Sequence, residues 1–78
     1  MQRYANHGGD SGIISYEVAP GQITVQFKDG ALYLYNSLRP GAAAVSEMQR
    51  LAQAGAGLNS YISREIRKNF AQKLRYPP

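Results

Sequence analysis

The fold of this chain depends most on residues 23–35, which read ITVQFKDGALYLY. Apolar and polar residues alternate on both sides of Asp29-Gly30, a pair that favours the tight turn of a β-hairpin. A two-residue loop at this point pairs Phe27 with Leu32 and Val25 with Leu34 on one face of the sheet. The pattern therefore predicts a hairpin with an aliphatic core face.

The same register sends Tyr33 and Tyr35 to the opposite face of the hairpin. Aromatic side chains on one face of an antiparallel sheet can stack on exposed bases, as they do in RNA-binding and single-strand-binding modules. Alternatively, a helix or the N-terminal segment covers the two rings as a second small core. Large exposed aromatic patches are uncommon, which favours the covered arrangement.

A further strand is predicted before this hairpin. Ile14, Tyr16 and Val18 alternate with polar residues, which places the three apolar side chains on one face. The four residues 19–22 follow, with Pro20 and Gly21 in the positions that a type II turn prefers. Together with the hairpin, this strand predicts a three-stranded antiparallel meander.

Two helices are predicted after the meander. Pro40 opens the first, which ends near Gly55, and its buried stripe consists of Ala44, Val45, Met48, Leu51 and Ala52. The second begins with Asn59 or Ser60 as its N-cap, and its buried stripe consists of Ile62, Ile66 and Phe70, with Leu74 as an extension. The predicted fold class is α+β, a three-stranded antiparallel β-meander followed by two helices packed on one face.

The length of 78 residues is enough for one domain and too short for two. We expect a flexible N-terminal leader over residues 1–12, a single domain over 13–74 and a C-terminal tail over 75–78. The chain has no cysteine, which excludes disulfides and thiolate metal sites. No apolar run approaches the roughly 20 residues that a membrane span requires, so a cytoplasmic protein without membrane contact is expected.

The positive charge of the chain is concentrated at its C-terminal end. The formal net charge is +4, and charges before Asn59 cancel. After that point Glu65 is the single acidic residue, and the basic residues are Arg64, Arg67, Lys68, Lys73 and Arg75. Such a segment can attract an anionic partner. It is also typical of a solvated helix face that keeps a small protein soluble.

The sequence offers no convincing catalytic or metal site. Residues 9–12 read GDSG, as around the nucleophile of chymotrypsin-like proteases, but a catalytic serine needs a converging base, a group that orients it and oxyanion donors. The single histidine, His7, lies in the predicted leader. His7 with Asp10 supplies two metal ligands where a stable site usually takes three or four. We therefore expect no enzyme activity, no cofactor and no metal.

Several features of the chain resemble the KTSC domain, a short module found at the C-terminus of some lysyl-tRNA synthetases and as a free-standing bacterial or phage protein. The shared features are residues 27–30 (FKDG), the YxY motif of Tyr33 and Tyr35, and residues 57–59 (GLN) before a basic helix. The helix residues that match are Ile62, Ile66, Arg67 and Phe70. The resemblance covers residues 11–70 and implies an α+β domain without catalytic residues. Its synthetase context suggests RNA binding.

The sequence thus predicts a small binding module rather than an enzyme. The leading hypothesis is nucleic-acid binding, with RNA as the expected partner. The predicted contact residues are Arg64, Arg67, Lys68, Arg75, Tyr33 and Tyr35, with the basic residues grouped on one face of the last helix. The alternative is a protein-interaction or homo-oligomerisation domain.

Overall fold

A five-stranded antiparallel sheet forms the centre of the computed structural model, which describes residues 1–7 and 12–75. The strands are β1 (Gln2–Arg3), β2 (Ile13–Ala19), β3 (Gln22–Phe27), β4 (Leu32–Asn36) and β5 (Gln72–Arg75), and they lie side by side in that order. Between β4 and β5 come the helices α1 (Ala42–Ala54) and α2 (Leu58–Tyr61), the latter continuing as a π-helical segment, Ile62–Ile66. The α+β class is confirmed, but the predicted three-stranded meander is extended by a strand on each side.

The turn between β2 and β3 has the predicted form. Ala19 pairs with Gln22, which leaves Pro20 and Gly21 as a two-residue loop. Gly21 has φ of 70°, the positive value that the third position of a type II turn requires. Helix α1 is attached to this turn by the side-chain amide of Gln49, which donates to the carbonyl oxygens of Ala19 and Gln22 at 3.1 and 2.8 Å.

The turn between β3 and β4 is one residue longer than predicted. The amide of Phe27 donates to the carbonyl of Ala31 at 2.9 Å, and the amide of Gly30 donates back to the carbonyl of Phe27 at 2.9 Å. The loop is therefore Lys28-Asp29-Gly30, with Gly30 at φ of 94° as a three-residue hairpin loop favours. The Asp29 carboxylate accepts from the amide of Ala31 at 2.9 Å.

This additional loop residue reverses the faces of β4. Val25 pairs with Tyr33 and Ile23 with Tyr35, so the tyrosines lie on the core face with Ile23 and Val25, which are fully buried. Leu34 pairs with Thr24 on the opposite face, as Leu32 does with Gln26. The predicted core face containing Leu32 and Leu34 is wrong, because a shift of one residue turns each side chain of a strand over.

The apolar face predicted for the first strand is also wrong in part. A β-bulge interrupts the pairing between Ile13 and Ser15, so that Ile13 and Tyr16 are both buried. Ile14 and Val18 are exposed instead. The hydroxyl of Ser15 is buried and donates to the side-chain oxygen of Gln26 at 2.8 Å.

Helix α1 confirms the predicted periodicity. Val45, Met48 and Ala52 are buried, and the helix packs against β3 and β4. It ends at Gly55, whose left-handed backbone lets its amide donate to the carbonyls of Leu51 and Ala52.

The last segment departs from the predicted long helix. The N-cap is Gly57, and no side chain among the described residues caps the helix, so Asn59 lies inside the first turn and its predicted capping role is wrong. Helical structure ends at Ile66, and the chain returns to the sheet as β5. An uncovered β4 would present a row of unpaired amides and carbonyls at its outer edge. The pairing with β5 satisfies them, beginning where the amide of Ala71 donates a hydrogen bond to the carbonyl of Leu34 at 2.8 Å.

Residues 1–7 belong to the folded domain rather than to a flexible leader. β1 pairs with β2, and Tyr4 is buried with its hydroxyl accepting from the amide of Leu58 at 3.2 Å. The amide of His7 donates to the carbonyl of Gly55 at 2.8 Å. The remainder of the predicted leader up to Ser11, including most of the GDSG stretch, lies outside the described residues, as do residues 76–78 of the predicted tail.

The hairpin register is tested by truncating the residues at two neighbouring positions. Tyr35→Ala should lower the free energy of unfolding by about 3–5 kcal/mol, as for other buried aromatic side chains. Leu34→Ala should cost about 1–2 kcal/mol, because Leu34 is half-buried on the opposite face. Urea unfolding followed by circular dichroism measures both, and complete unfolding of the Tyr35 variant counts as the expected result. A larger loss of stability for Leu34→Ala would support the two-residue turn instead.

The packing of the N-terminal segment is tested by two glycine substitutions with similar backbone strain. Gly55 and Gly21 have φ of 77° and 70°, so alanine costs about 1–2 kcal/mol at either position. A Cβ on Gly55 would also lie 2.6 Å from the Cβ of Ala5 and 2.9 Å from Cδ2 of His7, whereas one on Gly21 meets nothing within 4 Å. Gly55→Ala should therefore lower the melting temperature clearly more than Gly21→Ala. Equal decreases would show that residues 5–7 do not pack there.

Candidate functional site

The predicted basic residues do not share one helix face. Arg64 lies in the π-helical segment, Arg67 and Lys68 lie in the turn that follows it, and Arg75 lies in β5. All four side chains are exposed. The predicted basic helix is therefore corrected to a set of cations on three consecutive elements, because the chain leaves the helix at Arg67 to pair with β4.

A cavity of about 200 Å³ lies between the β3–β4 hairpin and the end of the helical layer. We call it the aromatic pocket, and its lining residues are Phe27, Asp29, Tyr33, Tyr35, Ile62, Arg67, Lys68 and Phe70. Four of the six predicted contact residues meet here, namely Tyr33, Tyr35, Arg67 and Lys68. Arg64 and Arg75 do not line the pocket.

Tyr33 is the centre of the aromatic cluster. Its ring centroid lies 4.7 Å from that of Phe70 and 5.5 Å from that of Phe27, to which it is nearly perpendicular. The ammonium group of Lys73 lies 5.2 Å from the centroid of the Tyr33 ring, within cation–π range. Phe27, Tyr33 and Phe70 are half-buried, so each ring retains surface that a ligand can contact.

Tyr35 has a different role in the pocket. Its ring centroid lies 6.4 Å from that of Tyr33, but only 1% of its surface is exposed. Burial raises the pKa of the Tyr35 hydroxyl far above its ordinary value, and the neighbouring Tyr33 adds to the effect. Tyr35 is thus a neutral support beneath the pocket, and its ring is too deeply buried for the stacking role predicted for it.

The turn at Arg67 holds an arginine in a backbone conformation that suits glycine. Arg67 has φ of 54° and ψ of −121°, and the amide of Asn69 donates to the carbonyl of Ile66 at 3.0 Å. These values define the first central position of a type II′ turn, where glycine is strongly preferred. Strain of this kind costs on the order of 1–3 kcal/mol and is concentrated at functional sites.

The π-helical segment creates this turn. The amide of Arg67 donates to the carbonyl of Ile62, five residues earlier, which widens the last helical turn. Single π-helical turns are likewise frequent at functional sites. Among the described residues, nothing forms a hydrogen bond or ion pair with the Arg67 side chain, so its guanidinium is not used to hold the turn in place.

Four residues of the pocket are not among the predicted contacts, and one of them, Ile62, is buried as its place in the predicted stripe requires. The sequence pattern assigns Phe27 to the aliphatic core, Phe70 to the buried stripe of the last helix and Asp29 to its turn. Asp29 does hold the turn, yet it also lines the pocket. The one local signal for Phe27 is its spacing of two residues from Val25, which puts both side chains on the same face of β3. Val25 pairs with Tyr33, so Phe27 lies on the face of the Tyr33 ring. This signal becomes readable only when the register is known.

Within residues 1–7 and 12–75, no group of three or more histidine, cysteine, aspartate or glutamate side chains is placed to hold a metal ion. Asp10, which together with His7 would supply only two ligands, lies outside these residues. No helix in the same part of the chain has the length and apolar character needed to cross a membrane.

No family model, curated protein or solved structure matches this chain. The resemblance to the KTSC domain therefore stays a prediction, and the pocket itself is what bears on function.

The strain at Arg67 is tested by exchanging it for glycine. Arg67→Gly should raise the free energy of unfolding by about 1 kcal/mol, because relief of strain exceeds the added freedom of the unfolded chain. Lys68→Gly is the matched control at the next position, where φ is not positive, and it should lower stability by about 0.5–1 kcal/mol. Chemical unfolding measures both. If Arg67→Gly is as destabilising as Lys68→Gly, the arginine is not strained.

Proposed function

We propose that this protein is a non-catalytic module that binds single-stranded nucleic acid, with RNA as its expected ligand, at the aromatic pocket. One unpaired base lies against the exposed surface of Tyr33, Phe27 and Phe70. The adjoining phosphates contact Arg67 and Lys68. The observation that carries this proposal is the convergence of half-buried aromatic rings and two exposed cations on one cavity.

The aromatic part of the pocket supports base stacking. Stacking of a base on an aromatic side chain contributes about 1–3 kcal/mol and tolerates any base, since each has a π-face. Bases are available for such contacts in single strands, loops and bulges but not inside a duplex. A ring cluster at the mouth of a small pocket therefore suits an unpaired base.

The cationic part of the pocket supports phosphate binding. Arg67 and Lys68 line the pocket beside the rings, and both side chains are exposed. A guanidinium can form two parallel hydrogen bonds to phosphate oxygens, whereas an ammonium acts as a compact point charge. The strained backbone of Arg67 is consistent with a role in binding, since glycine there would be the more stable choice.

The second candidate function is protein interaction or homo-oligomerisation, and it uses the other face of the sheet. Leu32 and Leu34 lie on the face opposite α1, where they are half-buried. Leu74 lies at the bulge where the pairing of β4 with β5 shifts, and it is exposed at 45% of its surface. An apolar partner on this face would bind with little dependence on salt, unlike phosphate binding.

Two double variants of equal charge distinguish RNA binding at the pocket from attraction by the overall charge of the protein. Arg67→Gln with Lys68→Gln removes both cations of the pocket, and Arg64→Gln with Arg75→Gln removes two cations that do not line it. We expect the pocket variant to bind a fluorescently labelled single-stranded RNA far more weakly than the wild type does at low salt. The slope of log K against log salt should fall by about 0.7 for each phosphate that the variant no longer binds. The control pair should retain most of the affinity.

Fluorescence anisotropy over a salt series measures these constants, after thermal melts have shown that both variants are folded. Equal weakening in the two variants would mean that only overall charge matters. Absence of RNA binding by the wild-type protein at low salt would reject nucleic-acid binding. Concentration-dependent association of the wild type, abolished by Leu34→Glu, would then favour the second candidate.

A further inference from the structure

We propose that the base held in the aromatic pocket is guanine and that the carboxylate of Asp29 selects it. This inference rests on the proposed nucleic-acid function and adds the identity of the bound base. It follows from two properties of the pocket, its size and the fixed position of Asp29. It also depends on the pattern of hydrogen-bond donors that a carboxylate accepts.

The size of the pocket matches one planar ring system. Its volume is about 200 Å³, below the roughly 300–1,000 Å³ of pockets that enclose drug-sized ligands. A base fits such a space while its sugar and phosphate remain outside. This arrangement places the phosphate near the exposed Arg67 and Lys68 rather than inside the cavity.

Among the described residues, Asp29 is the one acidic residue that lines the pocket, and its carboxylate is held in place. It lies at the centre of the hairpin loop, and its Oδ1 atom accepts from the amide of Ala31 at 2.9 Å. An ionised carboxylate has about four acceptor positions, so this bond leaves most of them for a ligand. Within the described residues no ion pair forms between Asp29 and the pocket cations Arg67 and Lys68.

Guanine presents the donor pattern that such a carboxylate accepts best. Its Watson–Crick edge carries the N1–H and N2–H groups side by side, and two parallel hydrogen bonds can join them to the two carboxylate oxygens. Adenine and cytosine present one amino donor beside a ring nitrogen acceptor on the same edge. Uracil presents one N–H between two carbonyl oxygens. In each of these three bases an acceptor lone pair would face the carboxylate, which is repulsive.

The strength of the preference can be anticipated from other base contacts. A good pair of hydrogen bonds between a side chain and a base typically discriminates by about tenfold or more against the wrong base. Ring stacking adds affinity without choosing among the bases. The rings and cations thus provide binding, and Asp29 provides the choice.

The experiment compares short uridine RNAs that differ at one central nucleotide, which is guanosine, inosine, adenosine, cytidine or uridine. Anisotropy at low salt should show about tenfold tighter binding of the guanosine RNA by the wild-type protein than of the adenosine, cytidine and uridine RNAs. Inosine retains N1–H but lacks the N2 amino group, so its RNA should bind with intermediate affinity. This series requires no variant and is unaffected by changes in stability.

The variant for this experiment is Asp29→Asn, which keeps an Oδ1 acceptor for the Ala31 amide but loses the second acceptor oxygen. It should remove the preference for guanosine while binding the uridine RNA at least as well as the wild type does. Glu65→Gln is the matched control, since Glu65 is exposed and does not line the pocket. It removes the same charge and should leave the preference intact.

The outcomes separate this inference from the proposed function. If none of the RNAs binds, nucleic-acid binding itself fails. If all five bind equally, or if inosine equals guanosine, nucleic-acid binding stands and guanine selection is overturned. Equal strengthening of every RNA by Asp29→Asn, with the preference unchanged, would show that Asp29 acts only by repelling phosphate, and it would also overturn the inference.

Discussion

The three-residue turn Lys28-Asp29-Gly30 sets the pairing of β3 with β4, and the rest of the structure depends on that pairing. The turn closes with a hydrogen bond from the Phe27 amide to the Ala31 carbonyl. A second hydrogen bond, from the Ala31 amide to the Asp29 carboxylate, stabilises it. Because side chains alternate between the faces of a strand, this register decides that Tyr33 and Tyr35 face the helices. The core face of the hairpin consequently carries Tyr33 and Tyr35 on β4 beside Ile23, Val25 and Phe27 on β3.

The pairing of β4 with β5 is the second constraint, and it shapes the pocket. To return to the sheet, the chain has to leave the helical layer immediately after Ile66, and it does so through the π-helical segment and the tight turn at Arg67. That turn brings the ring centroid of Phe70 to 4.7 Å from that of Tyr33. The same backbone path that completes the sheet therefore places Arg67 and Lys68 beside the rings.

The aromatic pocket combines three kinds of group with different binding properties. Half-buried rings offer stacking surface, exposed cations offer phosphate contacts, and a positioned carboxylate offers a directional acceptor. The strained arginine suggests that stability has been given up for a useful side chain at this point. Tyr35 is deeply buried and supports the pocket from beneath, whereas Tyr4 is buried elsewhere in the core, against Tyr16 and the Leu58 amide.

The amino-acid sequence by itself determined the elements with strong local signals. Pro20-Gly21 fixed the length of the first turn, and the apolar period of α1 with Gly55 at its end fixed that helix, because turn chemistry and helix periodicity act over a few neighbouring residues. The sequence also singled out Tyr33, Tyr35, Arg67 and Lys68, but it grouped them with Arg64 and Arg75, which do not line the pocket. It did not show that they share a cavity.

The register of β4, the strand at 72–75 and the incorporation of residues 1–7 depend on contacts that form only in the folded chain. Asp29-Gly30 is compatible with loops of two or three residues, and the two alternatives bury different faces of a β4 segment that is apolar on both. Residues 67–75 fit a helical period, but pairing with β4 also satisfies the amides and carbonyls along the outer edge of that strand, which a longer helix would leave open. Tyr4 has no periodic neighbours that mark it as buried, since its partners, Tyr16 and Leu58, are distant in the sequence. Long-range contacts of this kind leave no local pattern, and for that reason the pocket emerged only once the chain was folded.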